Sequence, residues 1–165
     1  ESCDFAAIIL VTNLAKSQDS ILLEKYIEKG NQLAQKINDQ QSVIRIQLAR
    51  GFLHSKLKQK TRAKKIYDQL LQESRQLGDS LFLAEMYHWI GAELKENEQY
   101  YEALPYYQAG LPLYSIYDKK KSLNTLLAIS VCSIHLGHNL ISLNAAKKGL
   151  TLADSLQELE SKANF

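Results

Sequence analysis

The sequence predicts an all-α fold, and three observations carry that expectation. Apolar residues recur at helical spacing, turn residues are scarce, and the same residue types return about every forty positions. Only seven glycines and two prolines occur in 165 residues, too few to punctuate a many-stranded barrel or sandwich. Leu, Ala, Gln, Lys and Glu, all good helix formers, are abundant instead. With 45% hydrophobic and 23% charged residues the chain has the balance of a folded domain, not a disordered one. Its 18.7 kDa allows one ordinary domain or a short run of repeats.

Eight helices are expected, over 3–16, 20–37, 41–57, 61–77, 80–96, 99–117, 121–136 and 140–159. The first rests on the apolar run Phe5-Ala-Ala-Ile-Ile-Leu-Val11. That run is shorter than the roughly 20 residues a bilayer span takes, and no basic segment of a signal peptide precedes it. The chain opens Glu-Ser-Cys without Met, which suggests a piece excised or processed from something longer. Leu23, Ile27, Gly30, Ala34 and Ile37 place the second helix, with Asp39 ahead of the third. Ala63, Tyr67, Leu70, Ser74 and Leu77 line one face of the fourth. Gly78 can terminate that helix, and Asp79 or Ser80 can N-cap the fifth, whose face is Leu83, Tyr87, Ile90 and Leu94. The sixth contains Pro105 and Pro112; a mid-helix proline costs roughly 3 kcal/mol, so Pro112 is expected to bend or interrupt it. Gly137 and Asn139 mark the turn between the last two.

These helices form four antiparallel pairs with approximate units 1–38, 39–78, 79–118 and 119–159. Gly51 and Gly91 lie forty residues apart, each followed twelve residues later by Ala63 or Ala103 and four further on by Tyr67 or Tyr107. The same column set steps back to Val11, Leu23 and Ile27 and forward by thirty-nine to Ser130, Ser142 and Ala146. A further column holds Gly30, Leu70, Gly110 and Gly149. Small residues let the two helices of a pair cross closely, while Tyr67 and Tyr107 are expected to fill the wedge against the next pair. Each pair alone leaves an apolar face exposed, which stacking would bury.

The Gly–twelve–Ala step with an aromatic four residues on resembles the helix A to helix B signature of the tetratricopeptide repeat family. Its clearest unit runs from Tyr87-His-Trp-Ile-Gly91 through Tyr101-Glu-Ala-Leu-Pro-Tyr-Tyr107, and the next best from Gly51 through Tyr67. The resemblance implies a right-handed α-solenoid of about four antiparallel helix pairs, over essentially the whole chain. It also implies a non-catalytic scaffold or sensor that binds a protein or peptide. The long period is similar to that of repeats in bacterial signalling proteins, including those placed before a GGDEF-type diguanylate cyclase. A membrane-attached sensor would hold the segment in the periplasm, and a transcriptional regulator in the cytosol.

The family's inward columns, carried over, give a candidate groove: Phe5, Ile8 and Thr12; Arg45, Leu48 and Phe52; Glu85, His88 and Ala92; and Asn124, Leu127 and Val131. This set departs from the Lys/Asn/Arg pattern of members that clamp a terminal carboxylate. A largely apolar groove with a few polar points suits an amphipathic helix, a short peptide or a small apolar ligand; the same residues would also serve as core or lie under a neighbouring helix. Tyrosines crowd the third unit, and Tyr100, Tyr101 and Tyr106 are the candidates for a partner or self-association surface.

No cofactor and no metal is expected. The sequence carries no P-loop, dinucleotide glycine motif or Gly-x-Ser-x-Gly turn. Cys3 and Cys132 lack ligand spacing, and His135 and His138 are separated by a helix end. The formal net charge of +2 demands no anionic partner. The run Lys56-Leu-Lys-Gln-Lys-Thr-Arg-Ala-Lys-Lys65 could meet phosphates, as could Lys119, Lys120 and Lys121, so nucleic acid is an alternative partner. Without interleaved aromatics a solvated turn row is the favoured reading of that run.

Overall fold

The computed structural model describes residues 20–163. They form seven helices: α1 (Ser20–Lys36), α2 (Gln40–Lys56), α3 (Lys60–Gln76), α4 (Ser80–Glu96), α5 (Tyr100–Tyr117), α6 (Lys119–His135) and α7 (Asn139–Ala163). All but the ends of α6 and α7 fall within about a residue of the boundaries read from periodicity. The helix expected over 3–16 lies outside the described residues. Among the described residues no helix is long and apolar enough to cross a membrane. The chain divides into two compact units, 1–78 and 79–165, at the boundary expected between the second and third repeats.

The helices end on a fixed rhythm. Asn38, Lys58, Gly78 and Glu98 stand twenty residues apart with φ of 54°, 60°, 72° and 59°, and Gly137 follows at 72°. A left-handed residue just past a helix turns the chain so that the next amide reaches back to an orphan carbonyl. Asp39 N donates to Ala34 O at 3.0 Å, Gln59 N to His54 O at 2.9 Å, Gln99 N to Leu94 O at 2.9 Å and His138 N to Ser133 O at 2.8 Å. Glycine takes this conformation freely at 78 and 137, while Asn38, Lys58 and Glu98 take it at a cost of roughly 1 kcal/mol or more.

The residue after each of these turns tells first helices from second. Asp39 Oδ1 accepts from Ser42 N at 3.1 Å, and Asp79 Oδ1 from Phe82 N at 2.9 Å. Asp118 Oδ1 likewise accepts from Lys121 N at 2.9 Å. Thus α2, α4 and α6 start on an aspartate cap, whereas α3 and α5 start on Gln59 and Gln99 with no side-chain cap. Asp118 is also where the period slips. It is the single residue between α5 and α6, with φ −151°, and α5 has 18 residues where its predecessors have 17. One residue gained and two lost turn the forty-residue step into thirty-nine.

In the first unit α1 packs on α2 and α2 on α3. Leu23 and Ile27 of α1 bury against Leu53 of α2, with Ile46 alongside. In the second unit α4, α5, α6 and α7 pack in antiparallel succession, and α4 also touches α6. The core there includes Met86, Ile90, Tyr107, Tyr114, Ile129 and Cys132.

The glycine column acts within a pair. A Cβ on Gly51 would lie 2.5 Å from Tyr67 Cε1, and one on Gly91 would lie 3.1–3.2 Å from three atoms of the Tyr107 ring. The tyrosines therefore sit across the glycine of their own pair, and Tyr107 also lies near Cys132 of the next one. Both rings are almost completely buried.

α5 runs through both Pro105 and Pro112 as one helix, so Pro112 does not interrupt it. They stand two turns apart on its exposed side. The carbonyls each ring would displace belong to Tyr101 and Gln108, themselves exposed, so water can take over the missing amide's role.

Candidate functional site

Phe5, Ile8 and Thr12 of the expected groove lie outside the described residues. Leu48 and Phe52 are core, 0% and 3% exposed, with the Phe52 ring edge-on to Tyr67 at 6.2 Å. Both side chains are buried, so neither is exposed to line an open groove. Arg45 is half-buried in the first unit. A separate open cavity of about 500 Å³ there is lined by Ile21, Leu53 and Leu57 together with Glu24, Glu28 and Arg62. Beside it Arg50 pairs with Glu24 at 2.9 Å and Glu28 at 3.1 Å, tying α1 to α2.

In the second unit the expected residues partly converge. Glu85 and His88 are one turn apart on α4, both half-buried, and α6 brings Lys121 to Glu85 with Nζ–Oε1 at 2.6 Å. Lys121 Nζ also lies 5.7 Å from the centre of the Tyr114 ring and 3.9 Å from Asp118 Oδ2. His88 is edge-on to Tyr107 at 5.7 Å and Tyr114 at 6.2 Å. Its Nδ1 is buried without a hydrogen-bond partner. Burial, reinforced by Lys121 and Lys95 and opposed by Glu85, holds the imidazole below its ordinary pKa of 6.5, so it is neutral at pH 7. Asn124, Leu127 and Val131 are exposed on α6.

Sequence reasoning grouped Lys121 with Lys119 and Lys120 as a basic turn row and missed its ion pair. A signal was present: thirty-nine residues earlier the same register position holds buried Phe82, so a lysine there needs a counter-charge. The other basic run, Lys56 to Lys65, spans the α2–α3 turn with its lysines and Arg62 exposed, and Lys64 pairs with Asp68 at 2.9 Å.

The tyrosines proposed as an interface differ among themselves. Tyr100 stacks flat on His135, with centroids 4.0 Å apart and planes 4° off parallel. Tyr106 is half-buried, and Tyr101 is 74% exposed. The Cys132 thiol is buried and its pKa raised by that burial, which keeps it unreactive. Burial likewise pushes up the phenols of Tyr107 and Tyr114. Among the described residues no three His, Cys, Asp or Glu side chains are grouped to hold a metal ion.

The class that fold and site define is an all-helical chain of sequentially packed antiparallel helices, with polar groups of α4 and α6 beside the tyrosine rings of α5. No protein-family model matches the chain, and no curated protein matches it in sequence.

Proposed function

We propose that the chain is a non-catalytic binding module of tetratricopeptide type, a right-handed α-solenoid that holds a segment of a partner protein on its first helices. The observation that carries the reading is the repeat itself. Turns recur every twenty residues, α2, α4 and α6 start on aspartate caps where α3 and α5 have no side-chain cap, and the glycine–tyrosine contact recurs in two successive pairs. Such an architecture multiplies one helix face, and on α4 and α6 that face offers fixed polar points, Glu85, His88, Lys121 and Asn124, beside aromatic rings. Peptide segments are recognised by that combination.

In this reading the module serves a bacterial signalling protein, with a diguanylate cyclase as its output. Ligand binding favours one superhelical curvature and passes that geometry to the output by population shift.

Selection of a displayed random peptide library on the immobilised chain tests the reading, followed by fluorescence anisotropy with the selected peptides. Glu85→Lys and His88→Asp are expected to weaken binding tenfold or more, about 1.4 kcal/mol each, with helicity unchanged. A library that yields no binder, or binders indifferent to both changes, refutes it. Leu48 and Phe52 are unsuitable for such a test because changing them would unfold the core.

A further inference from the structure

The turn between α2 and α3 concentrates charge of one sign. Lys56, Lys58, Lys60, Arg62, Lys64 and Lys65 are all exposed, and no Asp or Glu lies between Asp39 and Asp68. Lys64 pairs with Asp68 along its own helix. Glu24 and Glu28 of α1, which line the cavity beside the turn, are engaged by Arg50 at 2.9 and 3.1 Å.

The fold does not require these cations. Forty residues on, the same register positions hold Glu96 for Lys56, Glu98 for Lys58, Tyr100 for Lys60 and Glu102 for Arg62. The α4–α5 turn nonetheless keeps the same left-handed residue and the same uncapped glutamine. Lys60 and Arg62 stand at the start of α3, where the helix dipole favours carboxylates and where α5 places Glu102. Solubility is served by either sign of charge. Like charges crowded together against a helix dipole mark a surface kept for an anion.

We propose that the α2–α3 turn docks on an anionic lipid bilayer. The cations are lysines except Arg62, and lysines are point charges suited to a field of mobile headgroups. The fixed phosphates of a nucleic acid are gripped instead by the planar fork of arginine. Leu57, at the apex between Lys56 and Lys58, is 45% exposed, where the α4–α5 turn has Asn97. An apolar side chain flanked by lysines can enter a bilayer interface but gains nothing from a phosphate backbone. Beside the turn lies the open cavity lined by Ile21, Leu53, Leu57 and Arg62, so apolar surface and cation are offered together, as an amphiphile requires. Phe52 and Tyr67, the rings nearest in sequence, are buried and leave no platform for an unpaired base.

Each Lys or Arg near an anionic surface raises partitioning about fivefold. Four to six such contacts give an association constant on the order of 10³–10⁴ M⁻¹ in lipid, which is reversible and salt-sensitive. Peptide capture is read at Glu85 and His88 of α4, so either reading can fail alone.

Co-sedimentation of the chain with vesicles of about 30% phosphatidylserine in phosphatidylcholine tests the proposal. Half of the chain is expected to bind near roughly 0.3 mM lipid at about 0.1 M salt, with none on pure phosphatidylcholine. Binding should fall at least about tenfold by roughly 0.5 M salt. Lys56→Glu/Lys58→Glu/Arg62→Glu copies the α4–α5 turn, so it should keep its circular dichroism yet bind at least about a hundredfold more weakly. Lys60→Gln/Lys65→Gln, a milder change at two exposed positions, should weaken binding about twentyfold. Leu57→Ser should weaken it about threefold to tenfold with its salt dependence intact. A chain that stays off the vesicles, binds neutral ones equally, or still binds after the triple change overturns the proposal. So does a Leu57→Ser variant that binds like wild type. Retention of a duplex oligonucleotide or of polyglutamate at a tenfold lower concentration of anionic groups would likewise overturn it, assigning the turn to nucleic acid or an acidic protein.

Discussion

The pairs α4–α5 and α6–α7 follow one plan and fill its centre differently. In the first, Gly91 clears the space that the Tyr107 ring occupies, and Ala103 stands four residues before that tyrosine. In the second, the same columns hold Ser130, Ala146 and Ser142. No ring needs room there, and the two hydroxyls meet at 3.0 Å across the helix pair. What reads in sequence as a degenerate repeat is a second consistent solution. Without an aromatic, the small residue need not be glycine, and a hydrogen-bonded serine pair closes the gap. The difference also shows where each pair keeps its stability, since a buried ring contributes far more than two serines.

The comparison is broken most directly at the ring. Tyr107→Ala should cost about 3–5 kcal/mol in urea unfolding, as buried aromatic truncations do. Ala146→Gly, in the equivalent column but exposed, should cost no more than about 1 kcal/mol. Similar losses at both positions would mean that Tyr107 does not carry the pair. Next in size is Gly91→Ala, whose sign depends on its neighbour. With Tyr107 present the new Cβ meets the ring at 3.1–3.2 Å, and overpacking outweighs the helix-propensity gain by about 1 kcal/mol. In a Tyr107→Ala background the clash is gone, and the same change should stabilise by about 1 kcal/mol. A double-mutant cycle without that reversal would place the constraint on Gly91 elsewhere.

In the last pair, Ser130→Ala should cost about 1 kcal/mol, because it leaves the buried Ser142 hydroxyl without this partner. Replacing both serines by alanine should cost less than twice that, since no polar group is then stranded.

How far the sequence foretold this molecule follows from the same physics. Apolar spacing located all the described helices, because each buries one face against its neighbours. The turns were half legible: Gly78 and Gly137 announce left-handed residues, whereas Asn38, Lys58 and Glu98 adopt that conformation with ordinary side chains. The twenty-residue interval was the clue for those three. That α5 continues through Pro112 was not legible, because the exposure of that side appears only once the helix is packed. At the candidate site, Glu85 and His88 were legible as one helix face, but Lys121 joins them from thirty-six residues away. Leu48 and Phe52 failed because an inward column and a core column look alike in sequence.

The smallest expected effect sharpens the contrast between a polar α4 row and its apolar counterpart on α6. His88 faces Glu85 on its own helix, Tyr107 and Tyr114 of α5 and Lys121 of α6, with Lys95 also acting on it. Burial and the two lysines hold its folded pKa below 6.5, so the unfolded chain binds the proton more readily. Stability is therefore full above about pH 6.5 and falls as pH drops through that value toward the folded pKa, by at most about 1.4 kcal/mol per pH unit. His88→Phe keeps a ring against Tyr107 and Tyr114 but cannot titrate. The difference between wild-type and variant urea-unfolding curves should be flat from pH 7 to 8 and slope below about pH 6.5. Leu127, the register equivalent of His88, gives the control: Leu127→Met should leave the wild-type slope unchanged. A difference curve flat down to pH 5 would show that protonated His88 is accommodated, with Glu85 outweighing burial and the lysines.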